Sequence, residues 1–361
     1  MAYESALSYF TAGMDSLPGD SWQNQYDLAL SLHIEGAEAA YMSTDFKRAE
    51  SLTRVVLKKA RTVLDMIRVY EIIIQTCYAQ NMFKEAIDAA SKILKQLGIY
   101  LPKKTGKIPI MLGMLRTGFV LHRKNTDDLY NLPQMTDPLK LAAMRILMSV
   151  TISLYKSIRN VFPSIAFKMV ILSVKYGNSY LSPFAYTLYG LILGSFGKIG
   201  PGYRYDRFAL DLFHKFNSEK VDTKIYSIFS GLIKRWRHHL KESLDPLLEA
   251  CQTGLETGDL LNAASIVRLY CHNLFFIGTD LKTLEKETAK YGEILMKLKQ
   301  ESPLRNVILI RQTASNLTGA SEERTILIGE SFNEETMLPD LIESNDKDAI
   351  IGLYFLKAML C

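Results

Sequence analysis

Tyr41-Met42-Ser43-Thr44-Asp45-Phe46-Lys47-Arg48-Ala49 returns as Tyr78-Ala79-Gln80-Asn81-Met82-Phe83-Lys84-Glu85-Ala86, 37 residues further along the chain. The same offset carries Val56-Leu57-Lys58 onto Ile93-Leu94-Lys95. A fixed period of roughly 20–50 residues marks stacked structural units, none of which buries its apolar face alone. Gly36, Ala37, Ala39 and Ala40 crowd one stretch of the first copy and let a neighbouring helix approach closely, as antiparallel hairpins require. Asp45 and Asp65 stand where helix N-caps are expected, and Gly98 where a C-cap is. The pattern predicts an all-α fold, an α-solenoid of antiparallel helical hairpins.

Outward from that repeat, helical spacing alternates with breakers along the whole chain. Pro18-Gly19-Asp20 ends a first helix, and one long helix is expected over 22–42. Leu101-Pro102-Lys103-Lys104-Thr105-Gly106-Lys107-Ile108-Pro109 reads as a connector before a helix over 110–121. Leu132-Pro133-Gln134-Met135-Thr136-Asp137-Pro138 reads as a second joint, and the helix after it is apolar on nearly every face, the mark of a helix buried between neighbours. Further helices are expected over 162–176, 183–196, 203–216, 221–237, 244–256, 260–276 and 281–299. After Pro303 the pattern weakens: 304–316 reads as helix, 318–330 less regularly so, and 333–345 and 346–361 close the sequence. The runs Val307–Ile310 and Thr325–Ile328 are read as helix in this context. Three segments are expected: hairpins over 1–101, a connector with a short helix over 102–136, and a continuing helical repeat over 137–361. The apolar final helix, with no cap after it, is read as the open side of a truncated last unit.

With 361 residues, 48% apolar and 22% charged, the chain can bury a large interior. Its net charge of +5 is far from the concentrated positive stripe of a nucleic-acid binder. Cys77, Cys251, Cys271 and Cys361 form no CxxC pair, so neither a disulfide framework nor a zinc site is indicated, and a cytoplasmic setting is expected. The sequence carries no leader pattern and no run of about 18 uncharged apolar residues, so no membrane partner is expected.

The phosphate-cradling pattern GxxxxGK[ST] is absent, because Gly106-Lys107 and Gly197-Lys198 are both followed by Ile. Gly197-Lys198-Ile199-Gly200-Pro201-Gly202 is the richest glycine loop, which keeps nucleotide binding as an alternative to a plain turn. His122-Arg123-Lys124-Asn125 lacks the aspartate of a kinase catalytic loop, and no Asp-Phe-Gly follows. Six scattered histidines show no metal spacing, and Cys271-His272 lacks a third partner. Lys234, Arg235, Arg237 and Lys241 around Trp236 form the densest basic stretch, read as a helix-end cluster with nucleic-acid binding as the alternative. No catalytic residue, metal or cofactor is expected. In a scaffold of hairpins, a partner is expected on the inner face of each first helix, which selects Glu35, Glu38, Tyr41, Glu71, Gln75 and Tyr78.

The hairpin unit resembles tetratricopeptide-type repeats, with Ala37, Ala40, Phe46 and Ala49 at the small and aromatic packing positions, although the usual terminal proline is absent. A wider resemblance rests on many short strings in order, among them Tyr26-Asp27-Leu28-Ala29-Leu30, Glu38-Ala39-Ala40-Tyr41, Val69-Tyr70-Glu71, the 132–138 joint, Lys175-Tyr176-Gly177-Asn178-Ser179, Gly202-Tyr203 and Gly254-Leu255-Glu256-Thr257-Gly258-Asp259. Together they resemble the tetratricopeptide-like helical region of large bacterial, cyanobacterial-type multi-domain signalling kinases. In those proteins a Ser/Thr-kinase domain and an AAA-type ATPase domain precede such a region, and a GAF sensor with a histidine kinase follows it. The resemblance implies a non-catalytic scaffold or sensory linker, whose partners are the flanking domains or a protein ligand. None of the family's catalytic residues has a counterpart here.

Overall fold

The computed structural model describes residues 2–102, 106–122, 124–216, 219–319, 321, 323–344 and 346–361. Lys103, Lys104 and Thr105 of the expected connector, with Arg123 and Asn345, lie outside the described residues. The all-α expectation holds: among the described residues there is no strand, and only two isolated bridges, Gln134 with Asn178 and Ile328 with Asn333, interrupt the helices. The chain forms two compact units, residues 1–192 with 207–216 and residues 193–206 with 217–361.

The first unit begins with α1 (Ala2–Asp15), α2 (Ser21–Asn24), α3 (Tyr26–Met42), α4 (Phe46–Lys59), α5 (Val63–Ala79) and α6 (Phe83–Gln96). It continues with α7 (Lys107–His122), α8 (Thr126–Tyr130), α9 (Pro138–Ser157) and α10 (Phe162–Tyr176). Helices α11 (Ser182–Ser195) and α12 (Ile199–Phe216) each contribute residues to both units. Helices α3, α5 and α9 lie side by side in one layer, and α4 and α6 back them in a second. Ala37, Ala40, Val56, Ile74, Ile93 and Leu94 are wholly buried between the layers, so the small residues of α3 serve the close approach their sequence predicts. By length and composition α9 could cross a membrane, yet half of its apolar window is buried within the protein.

The second unit contains α13 (Glu219–Ile228), α14 (Leu244–Glu256), α15 (Leu260–Phe276), α16 (Leu281–Lys297), α17 (Glu301–Thr318), α18 (Glu334–Glu343) and α19 (Lys347–Leu360). Helices α13, α15, α17 and α19 are neighbours in one layer, with α14, α16 and α18 packed against them. Leu247, Ile266, Leu284, Leu295, Leu309 and Leu353 are at the centre of its continuous apolar core.

One turn recurs in both units. The pairs α3/α4, α5/α6, α14/α15, α16/α17 and α18/α19 are each joined by three residues. At the four described middle positions the backbone is left-handed: Thr44 (φ 64°), Asn81 (φ 60°), Gly258 (φ 77°) and Lys299 (φ 53°). The N–H after the left-handed residue reaches back five residues, Asp45 to Ala40 O (2.8 Å), Met82 to Cys77 O (2.8 Å) and Gln300 to Leu295 O (3.0 Å). This is a Schellman closure, in which the main chain satisfies its own orphan carbonyls. Asp45 then caps α4 by accepting from Arg48 N at 3.0 Å.

Four expectations change. The helix expected over 22–42 breaks at Gln25 (φ −131°), and the Arg61 guanidinium donates to the freed Trp22 carbonyl at 3.0 Å while lying 4.0 Å over the Tyr26 ring. Asp65 is not the cap of α5 but its third residue, in a capping box with the extended Thr62. The helix expected over 221–237 ends at Ile228 and widens into a π-helical turn, Phe229–Ile233, followed by a 3-10 turn, Lys234–Trp236. Gly231 sits in the wide turn, where a Cβ would come within 2.6 Å of Leu269. The run Thr325–Ile328 is not helical. Two buried amides of α17 hold it as a loop: Asn316 Nδ2 donates to Glu323, Arg324 and Ile326 carbonyls (2.7–3.1 Å), and Gln312 Oε1 accepts from Ser331 and Phe332 N–H groups.

Candidate functional site

Within the first unit the layer of α3, α5 and α9 is tied together by charge. Glu71 lies in the apolar run Val69-Tyr70-Glu71-Ile72 and is only 4% exposed. A buried carboxylate needs partners. Arg145 of α9 supplies them bidentately, with Nε donating to Oε1 at 2.9 Å and Nη2 to Oε2. Arg68, one turn before Glu71 on α5, places Nη1 3.5 Å from Oε2 and forms a second bidentate pair with Glu38 of α3, Nε to Oε2 at 3.1 Å and Nη2 to Oε1. The result is an alternating ladder, Glu38–Arg68–Glu71–Arg145, across three successive helices. Burial opposes the Arg68 charge, but Glu38 and then Glu71 outweigh it and hold its pKa above the ordinary arginine value. Tyr180 faces the same charges: burial raises its phenol, Arg145 and Arg68 act in the opposite direction, and Glu71 adds to the rise.

Tyr180 is positioned by two of the short strings quoted above. Asn178 N donates to Pro133 O (2.8 Å), Met135 N to Asn178 O (2.7 Å) and Asn178 Nδ2 to Leu129 O (2.6 Å), which zips the 132–138 joint to the turn after α10. Gly177 (φ 99°) permits this, since a Cβ there would lie 2.2 Å from Pro133 O.

Of the six residues expected to meet a partner, Glu38 and Glu71 are therefore engaged inside the chain. Tyr41 packs on Phe46 (ring centroids 6.4 Å) and Tyr78 on Phe83 (5.5 Å), one equivalent pair in each copy of the repeat. Glu35 is exposed one turn before Glu38, and Gln75 is half-buried one turn beyond Glu71. Arg68, Arg145 and Tyr180 were not singled out from sequence. The available signal was Arg145, the one charged residue between Lys140 and Lys156 in a largely apolar helix.

In the second unit the basic stretch folds around Tyr203. The Tyr203 hydroxyl lies 2.7 Å from His238 Nε2, His238 Nδ1 lies 3.2 Å from Glu242 Oε2, and the Arg237 guanidinium lies 5.6 Å over the Tyr203 ring. Lys234 Nζ donates to Glu242 O at 2.8 Å. Trp236 packs so closely on Gly194 that a Cβ there would lie 2.0 Å from its ring. Arg235 and Lys241 are exposed. Gly200, Pro201 and Gly202, expected in a glycine loop before a helix starting at 203, lie instead in the first turn of α12, where Arg237 of the basic stretch passes Gly200.

At Cys251 and Cys271 burial works against nucleophile chemistry. Burial raises Cys251 to about 11 and pushes Cys271 higher still, whereas a reactive thiol needs a depressed pKa. Burial, with Arg268 adding like-charge repulsion and an Asn306 hydrogen bond opposing, lowers His272 to about 4. Asp206 is wholly buried on α12 with neither carboxylate oxygen hydrogen-bonded, and burial raises its pKa well above the carboxylate range. Among the described residues no group of three His, Cys, Asp or Glu side chains is arranged to hold a metal ion.

No family profile matches the chain. The chain is 21% identical over 349 residues to the hybrid signal transduction histidine kinase G of Dictyostelium discoideum, in an alignment covering 88% of this chain and 10% of that protein. It thus spans about a tenth of the length of the curated relative it matches. A distant relationship to a signal-transduction kinase follows.

Proposed function

We propose that this chain is a non-catalytic, tetratricopeptide-like helical scaffold of a multi-domain signal-transduction kinase, serving as the linker through which catalytic and sensory domains contact each other or a protein ligand. The observation that carries this reading is the alignment itself: nearly the whole chain corresponds to one small part of a very long histidine kinase. The ion-pair ladder supports it from the side of geometry. It fixes α3, α5 and α9 as one platform, and rigid platforms of stacked helices are what repeat scaffolds offer to partners. Glu35 and Gln75 flank the ladder and present polar groups to a bound segment. The proposed working division is hairpins over 1–101, the connector over 102–136 and the helical repeat over 137–361. The partners are the kinase or ATPase domain on one side and the GAF or histidine-kinase domain on the other, in the cytoplasm, with no nucleic acid.

The test is crosslinking mass spectrometry and calorimetry of the chain with the kinase, ATPase and GAF domains of its parent protein, each expressed separately. Binding to at least one domain, weakened about tenfold by Glu35→Arg with Gln75→Arg, is the expected result. Absence of crosslinks and of heat with every domain rejects the scaffold role. Retention of labelled ATP by the chain alone, lost in Arg237→Ala, would transfer the assignment to nucleotide binding.

A further inference from the structure

Helix α7 carries apolar residues on two opposite faces. Gly113, Thr117 and Leu121 mark the inner face: Thr117 and Leu121 are buried, and Gly113 lies so near Phe167 of α10 that a Cβ would come within 2.6 Å of its ring. Ile108, Met111, Leu112, Leu115 and Phe119 fall within a narrow stripe on the opposite side, by the 3.6-residue helical repeat, and each is 55–74% exposed. A contiguous stripe of five large apolar side chains in water is not ordinary protein surface. Its one hydrogen-bonding side chain is that of His122 at the C-terminal end, so the stripe offers little by which a specific protein partner would be read.

Charge identifies the occupant. Residues 89–126 hold eight Lys and Arg and no Asp or Glu, in a chain whose acids and bases are otherwise nearly balanced. Lys107 and Arg116 are exposed on α7 itself. Arg116 is close enough to Lys168 of α10 to add its repulsion to the burial that already lowers that ammonium's pKa, and among the described residues neither forms an ion pair. Two neighbouring cations that have no counter-ion among the described residues, beside an exposed apolar stripe, match a surface that is apolar below and anionic above. That is the chemistry of an anionic bilayer, in which a helix lies flat with its apolar face among the acyl chains and its cations at the phosphates.

We propose that α7 is a peripheral membrane-docking helix, seated through Ile108, Met111, Leu112, Leu115 and Phe119 on anionic lipid, with Lys107, Arg116 and Lys168 meeting the headgroups. At 16 residues the helix is about 24 Å long and lies in the interface without spanning it. The docking is independent of the scaffold reading.

The experiment is co-sedimentation of the full chain with phosphatidylcholine vesicles, with and without phosphatidylserine, at low and high salt. The expected result is pelleting with phosphatidylserine vesicles only, weakened by salt, and reduced about tenfold or more in partition coefficient by Leu112→Glu with Leu115→Glu. Both positions are exposed, and circular dichroism verifies that the variant keeps its helices. Phe119→Trp gives a reading that needs no loss of function: its emission shifts to the blue and is quenched by brominated lipid. Failure to pellet with anionic vesicles overturns the proposal, as does pelleting that the double variant leaves unchanged. Concentration-dependent dimerisation without lipid, abolished by the double variant, also overturns it and gives the stripe to a second copy of the chain.

Discussion

Glu38 and Glu71 are chemically alike, both paired with arginine, and differ in burial. The Glu71 side chain is 6% exposed and shared by two guanidinium groups, whereas Glu38 is 32% exposed and faces one. Removing one partner from a buried pair leaves a charge stranded, while an exposed pair contributes little. Glu71→Ala is therefore expected to destabilise the protein by about 2–4 kcal/mol and Glu38→Ala by less than about 1 kcal/mol, measured by urea unfolding. Two other residues set a pH dependence. The folded-state pKa of His272 is about 4 against the ordinary histidine value of 6.5, so the unfolded chain binds the extra proton between those values. Stability is lost as pH falls from 6.5 towards 4, by about 3 kcal/mol, and this slope vanishes in His272→Asn. Asp206 acts with the opposite sign, since its raised pKa makes folding costlier as pH rises above the ordinary carboxylate value.

The recurrent element is the three-residue turn. At Thr44, Asn81 and Lys299 a residue with a Cβ occupies a left-handed backbone that glycine adopts without strain. Lys299→Gly is expected to stabilise the chain by up to about 1 kcal/mol, whereas Gly258→Ala costs about as much, both read as shifts in thermal midpoint. The same turn shows what the sequence made legible. The 37-residue repeat and Asp45 were visible because hydrophobic spacing and a cap leave residue-type signatures. The equivalent turns at 257–259 and 298–300 were not recognisable as copies, because Gly258 and Lys299 share a dihedral angle and no side-chain chemistry with Thr44. The end of α13 is illegible for a related reason: Gly231 in the widened turn packs against Leu269, which lies far along the chain. Glu71 is expected from the sequence to face a partner, yet it is buried against Arg145, 74 residues away, and no local pattern joins the two.

For the whole molecule, the fold class followed from periodicity alone, while the candidate site depended on which side chains meet across helices. The acid-free stretch around α7 was readable as a connector, and only the packing of Gly113 on Phe167 separated its bound face from its exposed one. The turn closed by main-chain bonds has one further consequence, for descent. Three of its hydrogen bonds join backbone to backbone, so the residues that occupy it can be exchanged while the two helices keep their angle. A joint of this kind tolerates exchange of its own residues so long as their number is kept. Such a protein can lose its sequence signature over long divergence and still present the same platform, and the reliable trace of its ancestry is the spacing between helices, measured as the lengths of its gaps.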